Sequence, residues 1–156
     1  MRMDRAVSVA EYRALAEFRY QIRRFLNISE QAARAAGLEP QQYLLLLALR
    51  GLPEGKQATI LTLAERLQLR HHSVVGLIDR LEKRGLVRRV RGKEDRRKVL
   101  ISLTARGEQI LGNLARKRLA ELRATGPELV RALGAVIGGA TRKSAGVRGA
   151  SRSRAR

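Results

Sequence analysis

The chain contains no cysteine and no tryptophan, and its 156 residues include only three tyrosines and two phenylalanines. The lack of cysteine excludes disulfides, thiolate catalysis and cysteine-ligated zinc. The few aromatic residues argue against an aromatic ligand cage and favour an aliphatic core of packed helices. No apolar run is long enough to cross a membrane, and the N-terminus lacks the apolar segment of a signal peptide. We therefore expect a soluble cytosolic protein without membrane contact.

Positive charge is abundant and unevenly distributed. The chain has 33 Lys and Arg residues against 14 Asp and Glu, a formal net charge of +19. Residues 62–106 carry 13 basic and 5 acidic groups and residues 141–156 carry 6 and 0, whereas residues 1–61 are nearly balanced with 9 and 6. A polyanionic partner follows from this concentration of charge, because binding to a phosphate backbone releases counterions.

Three helices are predicted in the first 50 residues. Apolar residues three or four positions apart predict an amphipathic helix over residues 9–27 whose apolar stripe needs a partner: Tyr12, Leu15, Phe18, Ile22 and Phe25. A second short helix is expected over residues 28–36, ended by Gly37. A third opens at Pro40, where a missing N–H costs nothing, and is apolar nearly all round, so we expect it to be buried.

A helix–turn–helix followed by a hairpin is predicted next. A capping box from Thr62 to Glu65 opens the first helix. The second, basic helix spans residues 70–84 and stops at Gly85. Two strands over residues 87–91 and 99–103 flank a charged turn, and together these elements predict a winged helix.

The remaining chain is predicted as two helices and a tail. Thr104 caps a long helix to about residue 124, which Gly126 and Pro127 break. A last helix covers residues 128–137. The Gly-, Ala-, Ser- and Arg-rich segment from residue 140 has little apolar surface to bury, so we expect it to be disordered.

Three segments carry a resemblance to the MarR family of bacterial transcription regulators, over about residues 8–138. LIDRLEKRGLV (77–87) is similar to the end of that family's recognition helix, DRRKVLISLT (95–104) resembles its wing, and LEPQQYLLLLAL (38–49) resembles the buried helix before them. The resemblance implies a homodimer whose wings straddle a pseudo-palindromic operator, often with a small-molecule site.

The expected fold is therefore mainly α with a small β-wing. Residues 8–50 supply N-terminal dimerisation and support helices, and residues 56–104 form the winged helix–turn–helix lobe. Residues 105–138 form the C-terminal dimerisation helices, and residues 140–156 form the basic tail. The tail arginines either add non-specific affinity for DNA or have no role; without an apolar face they make a poor membrane anchor.

The start of the basic helix supplies the first candidate DNA contacts, since side chains and amides there can meet base edges and phosphates. The candidates on this helix are Arg70, His71, His72, Ser73, Val75, Gly76 and Arg80. The two histidines could instead be solvated, but as adjacent residues on a helix they diverge and make a poor metal site. A histidine contact would tighten binding as the pH falls through about 6.5. Gly76 either permits close approach of DNA or is incidental.

The turn between the strands supplies the second group of candidates. Asp95 and Arg97 fall on one side of the hairpin, where the carboxylate can orient the guanidinium. In the resembling family this pair directs an arginine into the minor groove, and Arg97 occupies that position. Lys93 and Arg96 are expected to contact phosphates. Four further cations are either backbone contacts or solvated charge: Lys83, Arg84, Arg88 and Arg89.

The leading interpretation is a dimeric, sequence-specific DNA-binding regulator, more specifically a repressor that a small molecule releases or tunes. The alternative is an architectural or RNA-binding winged helix that ignores ligands. No enzyme is expected and no cofactor, because nothing in the sequence assembles into a catalytic group. A pocket would be mainly aliphatic, so the effector would be small and apolar, or acidic if Arg19, Arg23 or Arg24 meets it. A solvated helix face is the stronger explanation of these three arginines.

Overall fold

The computed structural model describes the backbone of residues 5–146 and the side chains up to residue 138. Its elements are, in order, α1 (Val9–Ala35), α2 (Pro40–Arg50), α3 (Ile60–Leu67), α4 (His71–Lys83), β1 (Val87–Arg91), β2 (Val99–Leu103) and α5 (Ala105–Gly146). The strands pair antiparallel, with Val87 opposite Leu103 and Arg89 opposite Ile101. A mainly helical fold with one small two-stranded sheet confirms the predicted fold class.

Two compact units divide the described chain. The first combines residues 5–28 with residues 120–146. The second, residues 29–119, contains α2, α3, α4 and the sheet, and we call it the winged-helix unit. The dimerisation roles of residues 8–50 and 105–138 stay predictions. The core of the winged-helix unit is aliphatic, and its most deeply buried large side chains are Leu38, Leu45, Leu46, Leu63, Leu77, Ile78, Leu81 and Leu86.

Local capping signals place most helix ends. Pro40 opens α2, and the Glu39 N–H donates to Gln42 Oε1 at 3.0 Å. Gly85 follows α4 with a φ of +69°, which suits a residue without Cβ. Thr104 caps α5 as predicted, because its Oγ1 accepts from the Gly107 N–H at 3.0 Å. The predicted cap at Thr62 is wrong: α3 begins at Ile60.

Thr59 caps α3 in place of Thr62. The Thr59 Oγ1 accepts from the Thr62 N–H at 3.1 Å, so Thr62 lies inside the first turn of the helix. An N-cap hydroxyl of this kind satisfies an amide that has no partner within the helix. The sequence offers two threonines three residues apart, and only the position of the helix start distinguishes them.

Both terminal helices are longer than predicted. The expected separate helix at residues 28–36 continues α1 without a break, since the first glycine or proline of the chain is Gly37.

Gly126 and Pro127 do not interrupt α5. Proline removes one N–H, here the donor to the Arg123 carbonyl, and the helix tolerates that single loss. Residues 140–146, expected to be disordered, also continue α5, because adding residues to an existing helix avoids the cost of nucleation. Residues 147–156 of the predicted tail lie outside the described part.

The predicted burial of α2 is only partly correct. Tyr43, Leu45 and Leu46 are buried, but the side chains of Leu44 and Leu47 are 46% and 41% exposed. The side chain of Gln42 is buried on the same helix. One face of α2 therefore faces the core of the winged-helix unit, and the opposite face of this apolar helix is open in the single chain.

Candidate nucleic-acid interface

The first turn of α4 presents an exposed cationic surface. Arg70 occupies the N-cap with φ of −71° and ψ of 150°, and its side chain has no oxygen with which to accept from the helix amides. Arg70, His71 and His72 are exposed, and Ser73 is half-buried. The first turn of a helix has amides without intrahelical partners and the positive end of the helix dipole, so this surface favours an anion.

The middle of α4 shows a local reason for its glycine. A Cβ at position 76 would lie 3.4 Å from Nη1 of Arg80, so the arginine side chain lies back over the helix at Gly76. Val75 and Gly76 are half-buried and Arg80 is exposed. The glycine therefore leaves room for a guanidinium, and its role in a close approach of DNA stays a prediction.

The turn between the strands, which we call the wing tip, is folded by its own hydrogen bonds. The Gly92 N–H donates to the Lys98 carbonyl at 2.9 Å, and the Lys98 N–H donates to the Asp95 carbonyl at 3.1 Å. A Cβ at Gly92 would lie 2.6 Å from the Asp95 carbonyl oxygen, so the turn requires glycine there. The compact turn fixes where its cationic side chains leave the backbone.

Asp95 orders the wing tip mainly through the backbone. Its Oδ1 accepts from the Arg97 N–H at 3.0 Å, and the Arg97 Nε lies 3.5 Å from the same oxygen. The Arg97 side chain is 95% exposed, and Lys93 and Arg96 are exposed beside it. The carboxylate thus holds the backbone from which Arg97 extends, while the guanidinium stays exposed to solvent.

The sequence left Arg89 open as a contact to the DNA backbone or as a solvated charge, and the structure shows a third arrangement. Its Nη2 lies 2.6 Å from Asp79 Oδ1 and its Nη1 lies 2.6 Å from Glu82 Oε1, and its N–H donates to Glu82 Oε2 at 3.1 Å. The hydrogen bond with Asp79 is the main cause that raises the pKa of the Arg89 guanidinium above its ordinary value. Arg89 therefore ties β1 to α4. The spacing of Asp79 and Glu82 on one helix was the only sequence signal for this contact.

Arg84 is also engaged within the unit. Its Nη1 donates to Oε1 of the buried Gln42 at 3.0 Å, which connects the end of α4 to the start of α2. Lys83 and Arg88 are exposed. Sequence reasoning missed Gln42, because a glutamine inside an apolar helix gives no sign of the arginine that it meets.

The turn after α4 is fixed to the start of α5. The Thr104 Oγ1 donates to the Gly85 carbonyl at 2.6 Å, and the Thr104 N–H donates to the Leu86 carbonyl at 3.1 Å. Gly107 comes so close that a Cβ there would lie 2.1 Å from the Leu86 carbonyl oxygen. These contacts hold the exit of α4 against the first turn of α5, and so set the direction of α4 within the unit.

A shallow depression of about 490 Å³ adjoins the start of α4. Its lining combines an exposed leucine with polar and cationic side chains: Leu61, Ala64, Glu65, Gln68, Leu69, Arg70 and His71.

Within residues 5–146, the His, Asp and Glu side chains form no group of three that could hold a metal ion. The helices of that part include none that is long and apolar enough to span a membrane.

The unit formed by residues 5–28 and 120–146 carries an exposed apolar surface. Of the predicted stripe on α1, Tyr12 and Leu15 are exposed and the other three residues are half-buried. Arg24 Nη1 lies 2.6 Å from Glu128 Oε2, which joins α1 to α5. The cavity between these helices, next to Phe25, has a volume of only about 10 Å³. Further exposed apolar residues of this unit are Val9, Leu26, Val130, Leu133 and Ile137.

Comparison with known proteins gives consistent matches. Residues 36–98 match the family model described as the MarR family. A curated relative, the uncharacterised HTH-type transcriptional regulator YfiV of Bacillus subtilis, is 39% identical over 66 residues, 38% of this chain. The match spans 41% of that relative's length.

Solved structures share the fold along most of the chain. AbsC, a MarR family transcriptional regulator from Streptomyces coelicolor, has a TM-score of 0.69 at 23% identity, over 91% of this chain and 99% of its own. A mutant MarR from E. coli complexed with operator DNA has a TM-score of 0.57 at 20% identity, over 72% of this chain and 76% of its own. The family and the similar structures are transcriptional regulators and not enzymes. Residues 36–98 are therefore similar to the MarR family, and the chain shares its fold with solved MarR family regulators.

Proposed function

We propose that the chain is a sequence-specific DNA-binding transcription regulator that acts on chromosomal DNA in the cytoplasm. The observation that carries the proposal is that one compact unit exposes two cationic surfaces, the first turn of α4 and the wing tip. A helix of this kind enters the major groove and a charged hairpin lies beside the duplex. The E. coli structure with similar fold is a complex with operator DNA, which supports the same partner here.

The side chains divide by the contacts that suit them. Arg70, His71, His72 and Ser73 meet base edges and phosphates from the first turn of α4. Val75, Gly76 and Arg80 continue the DNA-facing surface one turn further. At the wing tip, Lys93 and Arg96 bind phosphates, and Arg97, with its backbone held by Asp95, enters the minor groove. Each arginine that reads a base edge contributes roughly 1–3 kcal/mol of discrimination.

The active form that we propose is a homodimer. The exposed apolar side chains of residues 5–28 and 120–138, among them Tyr12 at 60% and Val130 at 69%, form a surface that a second copy would cover. Exposed apolar side chains gathered on one compact unit are typical of an interaction site. A two-fold dimer presents two α4 helices to a pseudo-palindromic operator, and such a dimer would act as a repressor when the operator overlaps a promoter.

Release by a small-molecule effector is the part of the proposal that rests on the family resemblance. The cavity beside Phe25 is too small for an organic ligand, and we propose that the dimer completes a larger pocket. Arg24 is already paired with Glu128, which leaves Arg19 and Arg23, both exposed, as the cations that could meet an acidic effector.

The alternative is an architectural or RNA-binding winged helix whose affinity comes from charge alone. It would bind random duplexes and the preferred sequence equally well. The ordered wing tip favours the regulator, because a turn held by Asp95 and Gly92 fixes the backbone position from which Arg97 extends, whereas non-specific attraction needs only charge.

Selection from a pool of random duplexes at about 150 mM salt, followed by sequencing of the bound fraction, tests the proposal. A regulator enriches a pseudo-palindrome, and a protein that neutralises about 8 phosphates shows a log–log salt slope near −7. Tight, salt-sensitive binding without enrichment would refute the regulator and leave the architectural protein. Sedimentation of the free chain tests the dimer separately.

A further inference from the structure

Two carboxylates lie on the helix that is proposed to enter the groove. Asp79 follows Gly76 by three residues and Val75 by four, so all three share one face of α4. Glu82 follows Asp79 by three, and both carboxylates are exposed. An anion on this face would repel the phosphates of a bound duplex, since like charges brought together at an interface oppose binding.

Arg89 of β1 engages both carboxylates at once. Its two terminal nitrogens each lie 2.6 Å from a carboxylate oxygen, one of Asp79 and one of Glu82. The second oxygen of Glu82 accepts from the Arg89 N–H at 3.1 Å. Both oxygens of Glu82 are therefore directed to the strand, as is one oxygen of Asp79. The 30% exposure of the Arg89 side chain, against 95% for Arg97, sets it apart from the cations that reach outward.

The planar guanidinium is suited to this task. Arginine presents its nitrogens in a rigid fork that matches carboxylate oxygens, whereas lysine offers a single mobile charge. Because Asp79 and Glu82 occupy the fork, its nitrogens are not directed at a phosphate. Exposed ion pairs contribute only about 0–1 kcal/mol to stability, so the stability of the fold is a poor explanation for this arrangement.

We propose that Arg89 is a positioning residue for DNA binding, which holds Asp79 and Glu82 against β1 and away from the phosphates. Arg89 acts through its partners and does not touch DNA. The inference rests on the proposed function, because it assigns a role within the same DNA-binding surface.

Three variants test the inference. Arg89→Gln removes the guanidinium and leaves both carboxylates free. The triple variant Asp79→Asn, Glu82→Gln, Arg89→Gln removes the carboxylates as well. Arg34→Gln is the matched control, since Arg34 also pairs with a glutamate, Glu30, at 3.7 Å and belongs to α1, not to α4 or the wing tip. Affinity is measured by fluorescence anisotropy with a labelled duplex from the enriched pool and with a random duplex of equal length, and Tm is measured for every variant.

We expect Arg89→Gln to bind both duplexes about tenfold more weakly than the wild type, because two unpaired carboxylates then face the phosphates. The triple variant returns to within about threefold of the wild type, since the repelling charges are gone. The control binds as the wild type does, and the four Tm values stay within a few degrees.

Other outcomes would overturn the inference. A triple variant as weak as Arg89→Gln, at unchanged Tm, would mean that Arg89 itself contacts phosphate. A fall in Tm that accompanies weak binding in both variants would mean that the ion pairs only maintain the fold. Full affinity of Arg89→Gln would mean that the carboxylates do not face DNA. A wild-type chain that binds no duplex would instead refute the proposed function, and the inference with it.

Discussion

Replacing Gly107 by alanine is the most demanding test of the packing around α4. The new Cβ would lie 2.1 Å from the Leu86 carbonyl oxygen and 3.0 Å from the Leu86 carbonyl carbon. Ordinary carbon–oxygen contacts are about 3.3 Å or longer, so the backbone would have to move by roughly 1 Å. Such a shift would stretch the bond from the Thr104 N–H to the Leu86 carbonyl, now 3.1 Å.

The expected cost combines two effects. Overpacking against a backbone atom costs about 1–3 kcal/mol, and a weakened buried hydrogen bond adds about 1 kcal/mol, so Gly107→Ala should lower the free energy of unfolding by about 3 kcal/mol. Gly112→Ala is the matched control on the same helix, because a Cβ there meets no atom within 4 Å. The control should gain up to about 1 kcal/mol from the helix propensity of alanine.

Urea denaturation followed by far-ultraviolet circular dichroism measures both variants, at equal protein concentration because dimerisation would shift the midpoint. The two variants should differ by about 4 kcal/mol, the sum of the loss and the gain above. If Gly107→Ala unfolds within about 1 kcal/mol of the wild type, α5 does not meet the turn after α4 as closely as the structure shows.

Three further predictions concern the caps and the wing. Thr59→Ala should lower the free energy of unfolding by about 1 kcal/mol, and Thr62→Ala by only a few tenths; equal losses in urea denaturation would contradict the cap at Thr59. Glu11 Oε2 accepts from the Ser8 N–H at 2.8 Å, and the hydrogen bonds of Glu11 with the backbone and the side chain of Ser8 lower its pKa from 4.5 to about 2. Because the pKa of Glu11 is lower in the folded chain, the stabilisation that its carboxylate gives to the start of α1 is complete above about pH 4.5 and is lost as the pH falls towards about 2. An NMR titration of the Ser8 amide would follow this loss, and a midpoint at the ordinary pKa of Glu11 would refute the prediction. Arg97→Ala should weaken binding to the enriched duplex at least about tenfold and binding to a random duplex less, since base-edge contacts carry the specificity; equal losses on both duplexes would reduce Arg97 to a phosphate contact.

Local signals in the sequence were sufficient for much of the fold. The strand at residues 99–103, the glycine at position 85 and the threonine at position 104 each depend on neighbours only a few residues away, and the structure confirms all three. The apolar alternation along β2 is only partly reflected in burial, because Ile101 is buried and Val99 is exposed. Gly126 and Pro127 gave an equally local signal that was wrong. A break is predicted wherever proline removes a donor, but whether a helix continues depends on the remaining bonds of the whole helix.

The contacts that refine the candidate site depend on distant residues. Arg89 lies seven and ten positions from its two partners, and they meet only because β1 folds back along α4. Gln42 and Arg84 are separated by 42 positions. A charge pattern identified the cationic surface as a whole, but it could not distinguish an arginine that reaches outward, such as Arg97, from one that is occupied within the fold.

The buried phenol of Tyr43 gives the protein an internal optical reporter. Tyr43 is the one tyrosine of residues 29–119, and Tyr12 and Tyr20 lie outside that range. Burial raises the pKa of Tyr43, although the charge of Arg118 opposes the shift. In an alkaline absorbance titration, the phenol of Tyr43 therefore ionises at a higher pH than an exposed tyrosine for as long as the winged-helix unit stays folded. Ionisation at a lower pH would signal unfolding of that unit, and the chain has no tryptophan and needs no added label for this measurement.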